Sequence, residues 1–236
     1  AVLLISIALF YYGYHETSEP VVKVSLLEAK HGERLAVLTL PTGDDMILKG
    51  RDEQVVKMSN GIVMKKDSVL CEYEEQGITH EENVYSVITV PKGGEYNFTL
   101  VDGTNVWLNS GSELKFPLYF DHHVREIFLK GEAFLEVKSD STRPFVVKTE
   151  EADVTVRGTV FNVMNYDDEA CAEVALLDGK VDFKVLQTDS VYSLVPGDVV
   201  RMDKENSTVS FTEKDVNVIS AWRTGYFYFE NMPLEE

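Results

Sequence analysis

The chain of 236 residues is acidic, with 40 Asp and Glu against 22 Lys and Arg, and its net charge of −18 would repel the phosphate backbone of a nucleic acid. Its 44% hydrophobic content is enough for one large or two smaller folded domains. The two cysteines, Cys71 and Cys171, lack metal-ligand spacing, which argues against a zinc site and a disulfide framework but leaves one bridge between them open.

The first residues, AVLLISIALFYY, carry no charge, and the polar segment GYHETSEP follows them. A bilayer requires roughly 20 apolar residues, so residues 1–14 are predicted to be the end of a transmembrane helix that begins before Ala1, with tyrosines at the interface. A secretory signal would need a positive first region and a small-residue cleavage site, and neither is present. A buried strand or a short core helix is the alternative.

Residues 21–211 show mostly period-two alternation in short runs rich in Val, Thr, Ile and aromatics, such as VYSVITV, REIFLKGEAFLEVK and DVTVRGTVFNVM. Gly, Asp, Asn, Pro or Ser interrupt these runs every six to twelve residues. The pattern predicts an all-β fold with many short strands, arranged as a solenoid-like stack or a sandwich.

An internal repeat supports this prediction. TLPTGDDMIL at residues 39–48 and TLVDGTNVWL at residues 99–108 share Thr-Leu, Gly and Leu at the same offsets, and ALLDGKVDF at residues 175–183 keeps part of the pattern. Two apolar strands joined across a Gly-containing turn explain each copy, with Asp102 and Asp178 bonding their own backbone.

The stretch FTLVDGTNVWLNSGSELKFP, residues 98–117, concentrates polar groups as an active site does. The repeat places Asp102-Gly103-Thr104 and Asn109-Ser110-Gly111-Ser112 where the chain must turn. We therefore interpret these groups as turn chemistry.

The final segment, WRTGYFYFENMPLEE, has four consecutive aromatics followed by Asn231, Pro233 and two glutamates, which is a helix-start pattern. If the four aromatic side chains stayed exposed to solvent, the domain would lose a sizeable part of its net stability. We expect a strand and a helix that begin a further unit continuing past Glu236.

The ordered motifs TVPKGGEYNFTLVDGTNVWLNSGSELKFP, REIFLKGEAFLEV, RPFVV, VTVRGTVFNV, ALLDGKVDF and LVPGDVV resemble the periplasmic domain of FecR-type transmembrane anti-sigma regulators. The pattern W-x-x-G-x-x-x-F-x-N-x-P-L is similar to the Bacteroidetes-like branch, in which it opens a small C-terminal domain. The residues that match it are Trp222, Gly225, Phe229, Asn231, Pro233 and Leu234.

The resemblance implies four segments: residues 1–14 as the end of the membrane helix, 15–82 as an N-terminal periplasmic β segment, 83–212 as a FecR-like β domain, and 213–236 as the start of a C-terminal α+β signalling domain. It implies a single-pass protein of the inner membrane with this region in the periplasm. The implied partners are the N-terminal signalling domain of a TonB-dependent outer-membrane transporter and, through a cytoplasmic domain, an extracytoplasmic-function sigma factor. No cofactor and no turnover enzyme are implied.

The expected partner-binding residues are Trp222, Tyr226, Phe227, Tyr228 and Phe229, with the β domain as their platform. The resemblance also implies a candidate self-cleavage at Gly158-Thr159, where the Thr hydroxyl would attack the preceding carbonyl if a base were near. The simpler interpretation is a tight bend or bulge at Gly158 and an ordinary strand residue at Thr159.

Glu132 and Glu136 lie on one face of a strand, but residues four apart stand about 13 Å apart, beyond the roughly 5 to 9.5 Å that glycoside hydrolysis uses. We expect Glu132 to be a turn-adjacent or hydrogen-bonded structural residue. His122-His123 is predicted to be a solvated loop pair rather than a metal site.

A secreted glycan-binding module is the alternative function, with Trp107 and Trp222 as platforms for sugar stacking. Core packing is the simpler interpretation of Trp107.

Overall fold

A computed structural model describes residues 33–50, 84–212 and 215–224, together with the backbone of three short strands between residues 56 and 71. These residues belong to one compact unit, Gly32–Glu236. The segment predicted to end a membrane helix, residues 1–14, and the aromatic run at residues 226–229 lie outside them. Within the described ranges, no helix has the length and apolar character needed to cross a bilayer.

The described residues form eighteen strands, so the all-β prediction is confirmed. In chain order they are β1 Glu33–Thr39, β2 Asp45–Lys49, β3 Val56–Lys57, β4 Ile62–Lys65, β5 Ser68–Cys71, β6 Tyr85–Thr89, β7 Gly94–Thr99, β8 Asn105–Leu108, β9 Glu113–Pro117, β10 Arg125–Glu136, β11 Phe145–Lys148, β12 Ala152–Val156, β13 Val160–Asn165, β14 Cys171–Asp178, β15 Val181–Val185, β16 Val191–Leu194, β17 Val199–Asp203 and β18 Val209–Thr212. A short helix α1, Val216–Ile219, and a 3₁₀ helix, Ala221–Thr224, follow. We call residues 215–224 the strap.

Two sheets share the long strand β10. Sheet 1 has the order β2-β1-β6-β9-β10-β11-β12-β15-β16. Sheet 2 has the order β7-β8-β10-β13-β14-β17-β18, and β5 joins it through one parallel pairing of Ser68 with Thr99. The first half of β10 pairs with β9 and β11, and the second half pairs with β8 and β13.

The segment before the predicted FecR-like β domain takes part in sheet 1. Its strand β1 pairs with β2 and, through residues 37–39, with β6. The domain boundary at residues 82 and 83 stays a prediction.

Successive two-strand units alternate between the sheets. The chain places β11 and β12 in sheet 1, β13 and β14 in sheet 2, β15 and β16 in sheet 1, and β17 and β18 in sheet 2. The units therefore stack along the domain while they build two facing sheets. The solenoid-like stack and the sandwich that the sequence left open are two descriptions of this one architecture.

The inner faces of the two sheets share one apolar core. Because side chains alternate along a strand, every second residue of β8 points into it, Val106 and Leu108, and both are fully buried. Phe98 of sheet 2 and Phe116 of sheet 1 are in contact, with ring centroids 5.5 Å apart. Each buried aromatic contributes about 1.5–3 kcal/mol, so these contacts hold the layers together.

A glycine allows β10 to pass from one sheet to the other. Gly131 has φ of +91°, and a Cβ at this position would lie 2.5 Å from the Ser112 Oγ. Any larger residue would therefore combine left-handed backbone strain with a collision.

Two copies of the internal repeat form the same turn. The amide of Gly43 donates to the Leu40 carbonyl, and the amide of Gly103 donates to the Leu100 carbonyl, each at 2.9 Å. The third copy also has two strands joined across a Gly-containing turn, but β14 and β15 lie in different sheets and pair with β17 and β16 instead of with each other. There Gly179 makes a crossing: its Cβ would lie 2.8 Å from the Thr159 Oγ1.

Candidate functional site

The strap lies on the outer face of sheet 2, the face directed away from the shared core. Strand pairing aligns one row of residues across five strands on this face: Trp107, Phe134, Asn162, Ala175 and Val199. Phe134, Ala175 and Val199 are fully buried, although none of them belongs to the cluster between the sheets. Helix α1 packs against β14. This face of sheet 2 is therefore an internal docking surface and not a solvent face.

Trp222 joins the strap to a chain of buried amides. Its indole Nε1 donates a hydrogen bond to the Asn162 Oδ1 at 3.3 Å, and the Asn162 Nδ2 donates to the Glu132 Oε1 at 2.8 Å. The other carboxylate oxygen of Glu132, Oε2, accepts from the Asn109 Nδ2 at 2.7 Å. A continuous hydrogen-bonded path thus runs from the strap through β13 and β10 to the turn after β8.

Arg223 provides a second attachment beside the first. Its guanidinium carbon lies 4.0 Å from the ring centroid of Phe134 and 5.2 Å from that of Trp107. Its Nη1 lies 3.2 Å from the Glu136 Oε1, which makes an ion pair beside the two rings. A cation over an aromatic face is worth about 0.5–2 kcal/mol, depending on desolvation.

Among the described carboxylates beneath the strap, only Glu132 has a pKa that is clearly shifted from its ordinary value. Burial raises the pKa of Glu132 above its ordinary 4.5, the hydrogen bonds donated by Asn109 and Asn162 lower it, and Glu173 of β14 raises it further. Glu132 is only 8% exposed. The site can therefore couple proton binding to the packing above it.

The polar cluster at residues 102–112 builds turns, as the sequence predicted. Asp102 accepts hydrogen bonds from the amide and hydroxyl of Thr104 at 3.0 and 2.8 Å. The Ser112 Oγ accepts from the Glu132 amide at 2.8 Å. Asp102 also forms a buried ion pair with Arg125, which the sequence analysis missed.

Gly158 and Thr159 lie at a tight crossing of two loops. A Cβ on Gly158 would lie 2.7 Å from the Ser139 Cα. Thr159 is 3% exposed, and its hydroxyl donates to the Lys180 carbonyl at 2.9 Å. This geometry supports a tight bend at Gly158, whereas Thr159 lies just before β13 and not in a strand. The self-cleavage stays a hypothesis.

The other candidate residues from the sequence analysis are Glu132, the pair His122-His123 and Cys171. Glu132 is hydrogen-bonded as predicted. His122 and His123 lie in an exposed loop between β9 and β10. Cys171 carries a free thiol.

The core-packing interpretation of Trp107 is wrong. Val106 and Leu108 point into the core, so Trp107 between them points to the outer face, where it contacts Phe134 and Arg223. Of the predicted partner-binding residues, Trp222 contacts the sheet of its own chain, while Tyr226, Phe227, Tyr228 and Phe229 lie outside the described residues.

Two residues of this site, Asn162 and Arg223, were not identified from the sequence. Asn162 is 1% exposed in the middle of a strand, VFNVMN. Asn is depleted in strands, so a central Asn among β-branched and aromatic residues was an available signal of a buried hydrogen-bond network. Arg223 had no comparable signal, because its contacts come from strands about 90 to 115 residues away in the chain.

Comparisons with known proteins agree with this architecture. The family described as FecR protein matches residues 86–182. A comparison with curated proteins finds no match.

Two solved structures of a proposed anti-sigma factor from Parabacteroides distasonis ATCC 8503 are similar to the chain. The first is 33% identical, covers 64% of this chain and 70% of its own, and superposes with a TM-score of 0.60. The second is 34% identical, covers 63% and 69%, and has a TM-score of 0.59. On its motifs, fold and relatives, the chain belongs to the FecR family of anti-sigma factor regulators.

Proposed function

We propose that the chain is the periplasmic part of a single-pass inner-membrane regulator that relays a signal from a TonB-dependent outer-membrane transporter to an extracytoplasmic-function sigma factor. Membership in an anti-sigma family supports a sigma factor as one partner of the chain. The apolar residues 1–14 support a membrane attachment. The part of the proposal that concerns the transporter depends on the C-terminal segment.

The observation that carries the proposal is the attachment of Trp222 and Arg223 to the outer face of sheet 2. Trp222 is the first residue of the pattern W-x-x-G-x-x-x-F-x-N-x-P-L, so the segment that we expect to receive the partner starts at this contact. A partner that pulls on or reorients that segment changes the packing of Trp222 on Asn162 and of Arg223 on Phe134. The β domain is the platform of this segment, so the change in packing is transmitted to it.

The glycan-binding alternative is less well supported by the geometry. A sugar platform needs an aromatic face open to solvent. The Trp107 ring has the Arg223 guanidinium over it, and the Trp222 N–H donates to Asn162, so protein groups already engage both indoles.

The test is calorimetric titration of the intact chain with the purified N-terminal signalling domains of the TonB-dependent transporters of the same organism, with an oligosaccharide panel in parallel. We expect saturable binding of the signalling domain and none of the panel. Replacement of Tyr226, Phe227, Tyr228 and Phe229 by Ser should weaken binding at least about tenfold, the effect of 1.4 kcal/mol.

The matched control is Phe211→Ser, which removes an exposed aromatic, 53% accessible, from the edge strand β18. It should leave the affinity unchanged. Binding of an oligosaccharide without binding of the signalling domain would replace this proposal with the glycan module.

A further inference from the structure

The stack of two-strand units ends at β16 in sheet 1 and at β18 in sheet 2. Among the described strands, β16 pairs with β15 alone and β18 pairs with β17 alone. The other edge of each strand therefore presents backbone N–H and C=O groups that no other described strand takes up. We call these two edges the open end. In repeat proteins a polar cap usually covers the last unit of such a stack.

Apolar side chains are exposed at the open end. Phe211 of β18 lies on the inner face of sheet 2, opposite the fully buried Val200, and is nevertheless 53% exposed. Its ring lies beside that of Tyr192 on β16, with the two centroids 6.4 Å apart. Val191, which begins β16, and Val195, which follows it, are 57% and 58% exposed. The core between the sheets therefore ends in apolar side chains that solvent reaches.

The open end lacks the features that keep sheet edges of different molecules apart. Residues 190–197 and 206–212 contain no charged side chain, although 26% of the chain is charged. Neither edge strand contains a proline or a shift of register. At the opposite end of sheet 1, the edge strand β2 carries Asp45 and Lys49, which is a usual form of protection. Strand pairing is therefore opposed at one end of the stack and not at the other.

Contacts between the two terminal hairpins fix the relative position of the two edges. The Ser207 hydroxyl, in the turn before β18, donates a hydrogen bond to the Gln187 Oε1, in the turn before β16. Because both strands begin at these joined turns, β16 and β18 run in the same direction. Facing sheets lie about 10 Å apart, so a partner that covers the open end has to present two strand edges at that spacing.

We propose that a second copy of this chain covers the open end and forms a two-fold symmetric dimer. A two-fold axis perpendicular to the sheets places β16 antiparallel to β16 of the second copy and β18 antiparallel to its β18, so that each sheet continues across the axis. The second copy meets the spacing requirement because its own edges have the same separation. The uncharged edges also let two chains of net charge −18 meet without like charges in direct contact.

The aromatic run of the same chain, residues 226–229, cannot cover the open end. The Arg223 guanidinium lies over Phe134 of β10, and four strand spacings of about 4.8 Å, or roughly 19 Å, separate β10 from β18. The three residues from Arg223 to residue 226 span at most about 11 Å, so the run cannot lie along the whole of β18. The dimer involves neither this run nor the strap and is independent of the proposed function.

Sedimentation velocity of the intact chain, at concentrations up to roughly 1 mM, tests the dimer. Each edge strand has only four residues, so we expect a weak dimer whose fraction grows with concentration. Raising the salt from about 0.05 to 0.5 M should strengthen it, because salt screens the repulsion between the acidic chains. A dimer that salt dissociates would overturn the proposal. A monomer at every concentration would also overturn it and would assign the open end to another occupant, such as an extended strand of a different protein.

The double variant Val191→Lys with Phe211→Lys places a charge on each edge and should abolish the dimer. Both side chains are more than half exposed, so the fold should be retained, as circular dichroism and the denaturation midpoint can verify. Ile47→Lys is the matched control, because Ile47 is 59% exposed on the opposite edge strand β2, and it should leave the dimer unchanged. A double variant that dimerises as the wild type does would overturn the placement of the contact.

Cross-linking tests the symmetry without a charge on the edges. In the intact chain carrying Cys71→Ser and Cys171→Ser, a short bismaleimide should join Ser210→Cys on β18 to a second copy. Facing residues of antiparallel strands lie about 5 Å apart, and the linker accommodates a one-residue shift of register. Ile47→Cys should remain monomeric. Cross-linking of Ser210→Cys no greater than that of Ile47→Cys would overturn the antiparallel pairing of β18, whether or not the chain binds the transporter domain.

Discussion

Arg125 and Asp102 form a buried ion pair that ties the turn between β7 and β8 to the start of β10. The Arg125 Nη1 lies 2.8 Å from the Asp102 Oδ2, and the two side chains are 1% and 5% exposed. The guanidinium also donates to the Lys138 carbonyl at 2.8 Å and, through Nη2, to the Arg143 carbonyl at 3.0 Å. Three segments of the chain, at Asp102, at Arg125 and at residues 138–143, therefore meet at one cation.

Breaking this pair should destabilise the domain strongly. Asp102→Asn leaves a buried guanidinium without its counter-charge, which costs about 3–5 kcal/mol. Urea denaturation followed by circular dichroism measures the loss. The double variant Asp102→Asn with Arg125→Met should lose less than the sum of the single variants, because the two residues are in contact.

The control for this prediction is Lys184→Gln, which removes an ion pair with the exposed Asp189. Exposed pairs contribute little, so its denaturation midpoint should stay near that of the wild type. Equal effects of Lys184→Gln and Asp102→Asn would contradict the assignment of Arg125 as a structural centre.

Two glycines with the same backbone conformation should respond differently to alanine. Gly43 and Gly131 have φ of +89° and +91°, but a Cβ meets nothing within 4 Å at Gly43 and lies 2.5 Å from the Ser112 Oγ at Gly131. Gly43→Ala carries only the left-handed strain, about 1–2 kcal/mol. Gly131→Ala adds overpacking of about 1–3 kcal/mol. Thermal denaturation of both variants checks the difference, and equal losses would refute a packing role for Gly131.

The Gly158-Thr159 bond should remain intact in the purified chain. The Thr159 hydroxyl donates to the Lys180 carbonyl, and none of its described hydrogen bonds is to a side chain that could act as a base. Intact-mass spectrometry after refolding should give the uncut mass for both wild type and Thr159→Ala. Fragments that end at Gly158 in the wild type, and are missing in Thr159→Ala, would establish the self-cleavage instead.

Tyr166 should ionise late, because burial raises its pKa to about 12. Its hydroxyl donates to the Ser110 carbonyl at 2.9 Å, which holds the turn after β8 against β13. A raised folded-state pKa gives a contribution to stability that is complete below the ordinary value of 10.0 and is lost as the pH rises to about 12. The stability advantage of wild type over Tyr166→Phe should shrink across that interval, measured by urea denaturation. An advantage that stays constant would contradict the burial of the phenol.

Local chemistry was predictable from the sequence, and long-range register was not. Asp102 and Gly103 identify their turn because an Asx bond and a positive φ depend on adjacent residues. Period-two alternation identified the strands because it also depends only on residues that are close together in the chain. Trp107 was misplaced because alternation fixes which residues share a face but not whether the opposite face is covered.

The covering of that face depends on the strap, which reaches it from about 115 residues further along the chain. The ion pair of Asp102 with Arg125 and the path from Trp222 to Glu132 likewise require the pairing of β8 with β10 and of β10 with β13. No local pattern encodes those registers.

Hydrogen exchange of the intact chain, with and without the purified transporter signalling domain, tests the central claim most directly. The relay through the strap predicts that saturating partner changes the exchange of residues 216–224 and of the outer-face neighbours Phe134 and Asn162. Saturated binding that leaves all of these amides unchanged would contradict it.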